Sequence, residues 1–216
     1  MTEQKPFRVE TSVEAPQEAV WQALTTPEQL RDWFGWDYSG IEAETEMIFG
    51  PGFGQPVAER LQFDNSWWID VVADGSRTIV RAVAPGPLAD TEWDDVFDAV
   101  EEGWRVFLEQ LRYLLEVRPT GRRRTIYLTG ETTGADLLDA AGPGETRLVD
   151  RYHRIVINGD GHLVAAEATL SVEATEPGPV SIVVSTFGLD DDAFAAVRDQ
   201  WAERWRAVAK DPEVTT

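Results

Sequence analysis

Asp95, Phe97, Ala99, Val100 and Trp104 recur in this 216-residue chain as Asp192, Phe194, Ala196, Val197 and Trp201, at a constant offset of 97 residues. The large apolar members fall three and four residues apart, the spacing that gathers side chains on one face of a helix. Each copy follows a β-rich stretch that ends in a turn. The chain therefore reads as two related units, each closed by a long amphipathic helix packed on a sheet. This is an architecture only, because no catalytic motif names a reaction.

Composition excludes several functions. The net charge of −20 repels phosphate backbones and anionic lipids, so neither nucleic acid nor a membrane surface is an expected partner. Most of the acidity belongs to the first unit: residues 1–117 carry 8 basic and 23 acidic groups, and residues 118–216 carry 11 and 16. With no cysteine, disulfides, thiolate catalysis and cysteine metal sites are excluded. No apolar run reaches the ~20 residues of a membrane span, and Met1–Pro6 lacks the basic-then-apolar pattern of a secretory signal, so a cytoplasmic location is expected.

Phe7–Glu14 alternates as a half-buried strand, and Glu18–Leu24 reads as a short helix. A second short helix starts at Thr26, with Pro27 in its first turn and Gln29 at capping-box spacing. From Ile41 to Val83 the pattern predicts strands, broken by turn signals at 50–54, at Asp64-Asn65-Ser66 and at Asp74-Gly75. Thr91 is the expected cap of a long helix to about Val117. After Pro119-Thr120-Gly121 come a strand (Thr125–Thr129), a short helix (Ala135–Ala141), a hairpin (Leu148–Ile157 and His162–Glu173), a strand (Val180–Phe187) and the closing helix from Asp190.

Three segments carry a family resemblance. They are Ala15-Pro16-Gln17-Glu18-Ala19-Val20-Trp21, then Thr26-Pro27-Glu28-Gln29-Leu30 leading into Trp33-Phe34, and Gly103-Trp104-Arg105-Val106-Phe107-Leu108-Glu109-Gln110-Leu111 running on to Leu115-Glu116. In this order, around a meander, they resemble the START-like (SRPBCC, Bet v 1-type helix-grip) superfamily. Within it they are similar to the bacterial group like the C-terminal domain of heat-shock-protein-90 ATPase activators.

The resemblance implies an α+β fold. Residues 1–118 would form a helix-grip unit with a curved antiparallel sheet and a long C-terminal helix, and residues 119–216 a shortened, divergent second copy. It also implies a pocket between helix and sheet, walled by Trp104, Phe107, Leu108 and Leu111 of the helix and by Trp33, Trp36, Trp67 and Trp68. The implied function is binding of a small hydrophobic or amphipathic molecule. The alternative is a protein-interaction, co-chaperone-like module acting through the acidic surface. A polyketide-cyclase-like enzyme would need a titratable group in the pocket, and none of these eight positions supplies one.

Other constellations read blandly. His153 and His162 flank one hairpin; with the turn centred on Gly159-Asp160, His153 faces Ala166 and His162 faces Ile157, too far apart to share a metal. Glu42, Glu44 and Glu46 would share one solvated strand face, and Asp190-Asp191-Asp192 opens a helix, where acidic residues suit the dipole. The glycine-rich run 50–54 lacks the ending of a phosphate loop and reads as a rim loop over the pocket. Arg122-Arg123-Arg124 is expected to meet the chain's own carboxylates, with an anionic group as the alternative. No metal and no cofactor are expected.

Overall fold

The computed structural model describes residues 6–50, 59–63, 67–86 and 97–216. The chain divides into two compact units, Met1–Phe34 with Glu42–Arg118, and Gly35–Ile41 with Pro119–Thr216. Both are α+β with antiparallel sheets. No helix among the described residues is long and apolar enough to cross a membrane.

The first unit runs β1 (Phe7–Val13), α1 (Gln17–Thr25), α2 (Pro27–Leu30), α3 (Ile41–Phe49), β2 (Arg60–Phe63), β3 (Trp67–Asp74), β4 (Arg77–Ala84) and α4 (Ala99–Val117), with strand order β1-β4-β3-β2. Alternation sets the inner face: Phe7, Val9 and Val13 of β1 join Ile69 and Val71 of β3 and Val80 and Ala82 of β4 in the core. Gly75, at φ +64°, opens the two-residue turn between β3 and β4, the position for which glycine is favoured. Thr26 caps α2 without its side chain, because the same residue ends α1, its N–H donating to the Gln22 carbonyl.

Two expectations for this unit are corrected. Ile41–Phe49 is a helix, so Glu42, Glu44 and Glu46 do not share a strand face. Ile41-Glu42-Ala43-Glu44-Thr45-Glu46-Met47 alternates as a strand would, but Glu, Ala and Met favour helix, and that preference prevails. The long helix α4 starts at Ala99, where the Asp98 carboxylate accepts from the N–H groups of Val100 and Glu101 at 3.0 and 2.9 Å. The expected cap Thr91, the turn at 64–66 and the loop residues 51–54 lie outside the described residues.

The second unit runs β5 (Arg123–Thr132), α5 (Gly134–Ala141), β6 (Glu145–Val149), β7 (His153–Ile157), β8 (Leu163–Ala168), β9 (Gly178–Phe187), α6 (Asp191–Val208) and β10 (Lys210–Thr215), in sheet order β10-β5-β9-β8-β7-β6. It is shorter in chain than the first unit, yet its sheet has six strands against the four described there. The β7–β8 register is Ile157↔Leu163 and His153↔Glu167, one residue from the expected pairing. The cause is Asn158, whose Oδ1 accepts from the N–H groups of Asp160 and His162 and draws His162 into the loop. Strand β10 has no alternating apolar signal and contains Pro212, which an edge position tolerates.

Helix α6 supplies Phe194, Trp201 and Trp205 to a core made with Ile126 and Leu128 of β5, Ile182 and Val184 of β9, Val164 and Ala166 of β8, and Leu137 of α5. Trp205 is fully buried, and its indole N–H donates to the Thr129 carbonyl at 2.9 Å. Trp205→Ala is expected to cost about 3–5 kcal/mol in urea denaturation. Asp190→Ala, which removes the carboxylate that caps α6 through the Ala193 N–H, is expected to cost about 1 kcal/mol.

Candidate functional site

The aromatic residues of the first unit converge. Phe34, following α2, lies 4.8 Å from Phe107 and 6.2 Å from Trp104, centroid to centroid, both on α4. Trp33 meets Phe34 edge-on at 5.7 Å and is anchored by its own indole N–H, which donates to the Ala23 carbonyl at 2.8 Å. From the sheet, Phe63 stacks on Trp67 at 3.6 Å, and Trp67 lies 5.0 Å from Trp104. Phe49, at the end of α3, stands edge-on to Trp33, Phe34 and Phe63. Offset and edge-to-face geometries of this kind are the favoured ones for ring pairs.

The cluster is graded in depth. Trp33, Phe34, Phe63 and Trp104 are buried, while Phe49, Trp67 and Phe107 are half-buried. Leu108 and Leu111, lower on the same helix face, are fully buried. The indole N–H groups of Trp67 and Trp104 meet no acceptor among the described residues.

Of the eight candidates, then, Trp33, Trp67, Trp104 and Phe107 come together, with Leu108 and Leu111 beneath them on α4. Two do not join them. Trp68 follows Trp67 in β3 and so faces the other side of the sheet, where its N–H donates to Asp70 Oδ2 at 3.0 Å and the Arg60 guanidinium lies 4.4 Å over its ring. Trp36 belongs to the second unit and stacks on Tyr127 of β5 at 4.3 Å. The phenylalanines 34, 49 and 63 were missed. For Phe34 and Phe63 a signal existed, one adjoining Trp33 and the other ending a strand beside the Trp67 turn. For Phe49 there was none once α3 was read as a strand.

A second constellation lies in the second unit. The His153 ring is fully buried between two carboxylates, with Nδ1 3.1 Å from Asp150 Oδ1 and Nε2 3.2 Å from Glu167 Oε2. Burial alone would lower its pKa, but the hydrogen bonds and charges of both carboxylates prevail and push it up to about 9. Burial works in the opposite direction on Asp150, whose pKa is nevertheless lowered by His153 and by the N–H groups of Tyr152 and His153. His162 differs: burial lowers its pKa, and its Nδ1 has no hydrogen-bond partner among the described residues. The His153 clamp joins the β6–β7 turn to β8, so it holds structure.

Because the folded-state pKa of His153 is raised, the clamp's stabilisation is fully present below the ordinary value of 6.5 and is lost as pH rises through about 9. The unfolding free energy is therefore expected to fall across this window in urea titrations. In His153→Gln the fall across that window is expected to be much shallower.

No protein-family model matches the chain, and no curated protein matches it. Among solved structures it is similar to DynU16, a protein of the dynemicin biosynthetic locus, with 19% identity over 95% of this chain and 96% of that one and a TM-score of 0.35. It is also similar to the Aha1 dimer from Colwellia psychrerythraea, with 16% identity over 53% of this chain and 98% of that one and a TM-score of 0.35. A third similar structure is the di-domain ARO/CYC protein BexL from the BE-7585A biosynthetic pathway, with 13% identity over 95% and 93% and a TM-score of 0.34. The α+β architecture of antiparallel sheets, each with a long closing helix, follows from this chain's own element order.

Proposed function

We propose that the first unit binds a small apolar or amphipathic molecule against its aromatic cluster, at Trp67 and Phe107. One observation carries this reading: half-buried ring faces lie over a buried aromatic floor, and two indole N–H groups there lack an acceptor among the described residues. Ring faces supply apolar contact area, and an indole N–H can fix the polar end of a ligand. Trp67 and Phe107 are half-buried, whereas Leu108 and Leu111 are fully buried. In this reading residues 1–118 are a START-like ligand-binding domain and residues 119–216 its divergent second copy.

Titration with fatty acids, flavonoids and polyketide-like aromatics is expected to shift tryptophan emission saturably and to raise the melting temperature by mass action. Trp67→Ala and Phe107→Ala are expected to abolish the response, whereas Trp68→Ala, on the other side of the sheet, keeps it. Leu111→Trp is expected to destabilise by about 1–3 kcal/mol, because that position is already filled. If a chemically diverse library gives no saturable signal, or if the Trp67→Ala variant responds like the parent, the cluster is core alone. The function then passes to a protein-interaction module.

A further inference from the structure

Three consecutive arginines lead into β5, Arg122 just before it and Arg123 and Arg124 as its first residues. Arg123 is buried on the face of β5 away from α6, donating to the Gly35 carbonyl at 2.8 Å and to Ser185 Oγ at 3.0 Å. Arg124 shares the α6-facing side with Ile126 and Leu128. Arg122 and Arg124 line a cavity of about 430 Å³ together with Asp37, Tyr38, Ser39, Phe194 of α6 and Thr216. All these residues belong to the second unit. We propose that this cavity is a binding site for a small molecule bearing an oxyanion group, a carboxylate or a phosphate ester, held by Arg122 and Arg124.

The backbone that presents the two guanidinium groups is fixed. The Gly188 N–H donates to the Arg122 carbonyl at 3.1 Å, and Thr186 Oγ1 donates to the Arg124 carbonyl at 2.9 Å. Gly121 and Gly188, at φ +86° and +68°, close this corner so tightly that a Cβ on Gly121 would lie 2.5 Å from the Gly188 Cα. The facing wall is tied down as well, because Asp37 Oδ2 accepts from the Thr125 N–H at 2.7 Å and from Thr125 Oγ1 at 3.2 Å.

Charge and chemistry select the ligand class. The Arg122 guanidinium has no acceptor or ion-pair partner among the described residues. The Arg124 guanidinium lies 3.7 Å over the Phe194 ring and pairs with Asp191 at 2.8 Å, but Asp191 is 98% exposed. An ion pair so open to water is worth little, so an incoming oxyanion can compete for Arg124. Asp191 pairs with Arg124, and Asp37 Oδ2 is held by the neutral N–H and hydroxyl of Thr125, which position that carboxylate without cancelling its charge. Paired guanidinium groups match the fork of a carboxylate or phosphate, and the hydroxyls of Tyr38 and Ser39 add polar groups to the wall. The volume exceeds that of a bare ion and falls in the range of small-molecule sites, which calls for an organic body behind the anionic head.

The test is a titration of the full chain with phenyl phosphate, benzoate and inorganic phosphate, read by calorimetry and by backbone amide shifts. Saturable binding of phenyl phosphate or benzoate is expected, with shifts centred on residues 37–39 and 122–125. Arg122→Gln is expected to weaken it about tenfold, the loss of roughly one charge-assisted hydrogen bond. Arg206→Gln, an exposed arginine on α6, is expected to leave it unchanged. Tighter binding of phenyl phosphate assigns the head group as a phosphate ester, and tighter binding of benzoate as a carboxylate; either supports the site. No saturation up to ~10 mM, equal binding by Arg122→Gln, or inorganic phosphate binding as tightly as both organic probes would overturn it.

Discussion

An antiparallel sheet with one apolar face is stable only when that face is covered, and in each unit one long helix does most of the covering. Everything else in the fold serves that contact. Alternation along β1, β3 and β4, and along β5, β8 and β9, aims the apolar side chains at the helix. Aspartates 98 and 190 set where each helix begins, and tryptophans 104 and 201, related by the repeat, stand buried on the sheet-facing sides. Trp205 adds a directional element, since its N–H bond to Thr129 fixes the helix relative to one carbonyl of β5.

The two cores are built differently on this shared plan. Beneath α6, large rings meet small and β-branched residues: Ala140, Ala166 and Ala168 leave room that Trp201 and Trp205 occupy among Val164, Ile182 and Val184. Large against small interdigitates without gaps. Beneath α4, large rings meet large rings. Phe34, Phe63, Trp67, Trp104 and Phe107 satisfy one another through tilted and stacked pairs, and Trp67 and Phe107 stay half-buried. The second unit thus has rings set among small residues, and the first a cluster of rings packed on rings, with Trp67 and Phe107 half-buried.

How much of this was legible in the chain depends on which signal each element carries. The apolar stripe of the closing helices and the alternation of β1 carry their own periods; β1 and α6 lie where the pattern put them, while α4 starts at Ala99 and not at a Thr91 cap. Helix α3 alternates Ile41, Ala43, Thr45 and Met47 with glutamates, and that alternation reads wrongly as a strand. Strand β10 exists through pairing with β5 alone, which no local pattern encodes. Of the aromatic cluster, Trp104 was legible from the apolar spacing of the long helix and Phe107 only through the family resemblance. The separation of Trp67 from Trp68 was legible in principle from strand alternation, but the departure of Trp36 into the second unit depends on Tyr127, ninety-one positions away.

Charge completes the contrast between the units. All seven arginines within residues 1–117 pair with a carboxylate, as the 23 acidic groups there make almost unavoidable. In the second unit acids are fewer and arginines take other work. Arg123 bonds to a carbonyl and a hydroxyl, Arg204 donates to the Ala140 carbonyl, and Arg124 lies over an aromatic ring. What sets Arg122 apart is its place beside Arg124 on the wall of a cavity whose lining aspartate, Asp37, is held by Thr125. A protein of net charge −20 repels anions at a distance, so an anionic molecule reaching this wall would be held by short-range, paired hydrogen bonds and not by the long-range field.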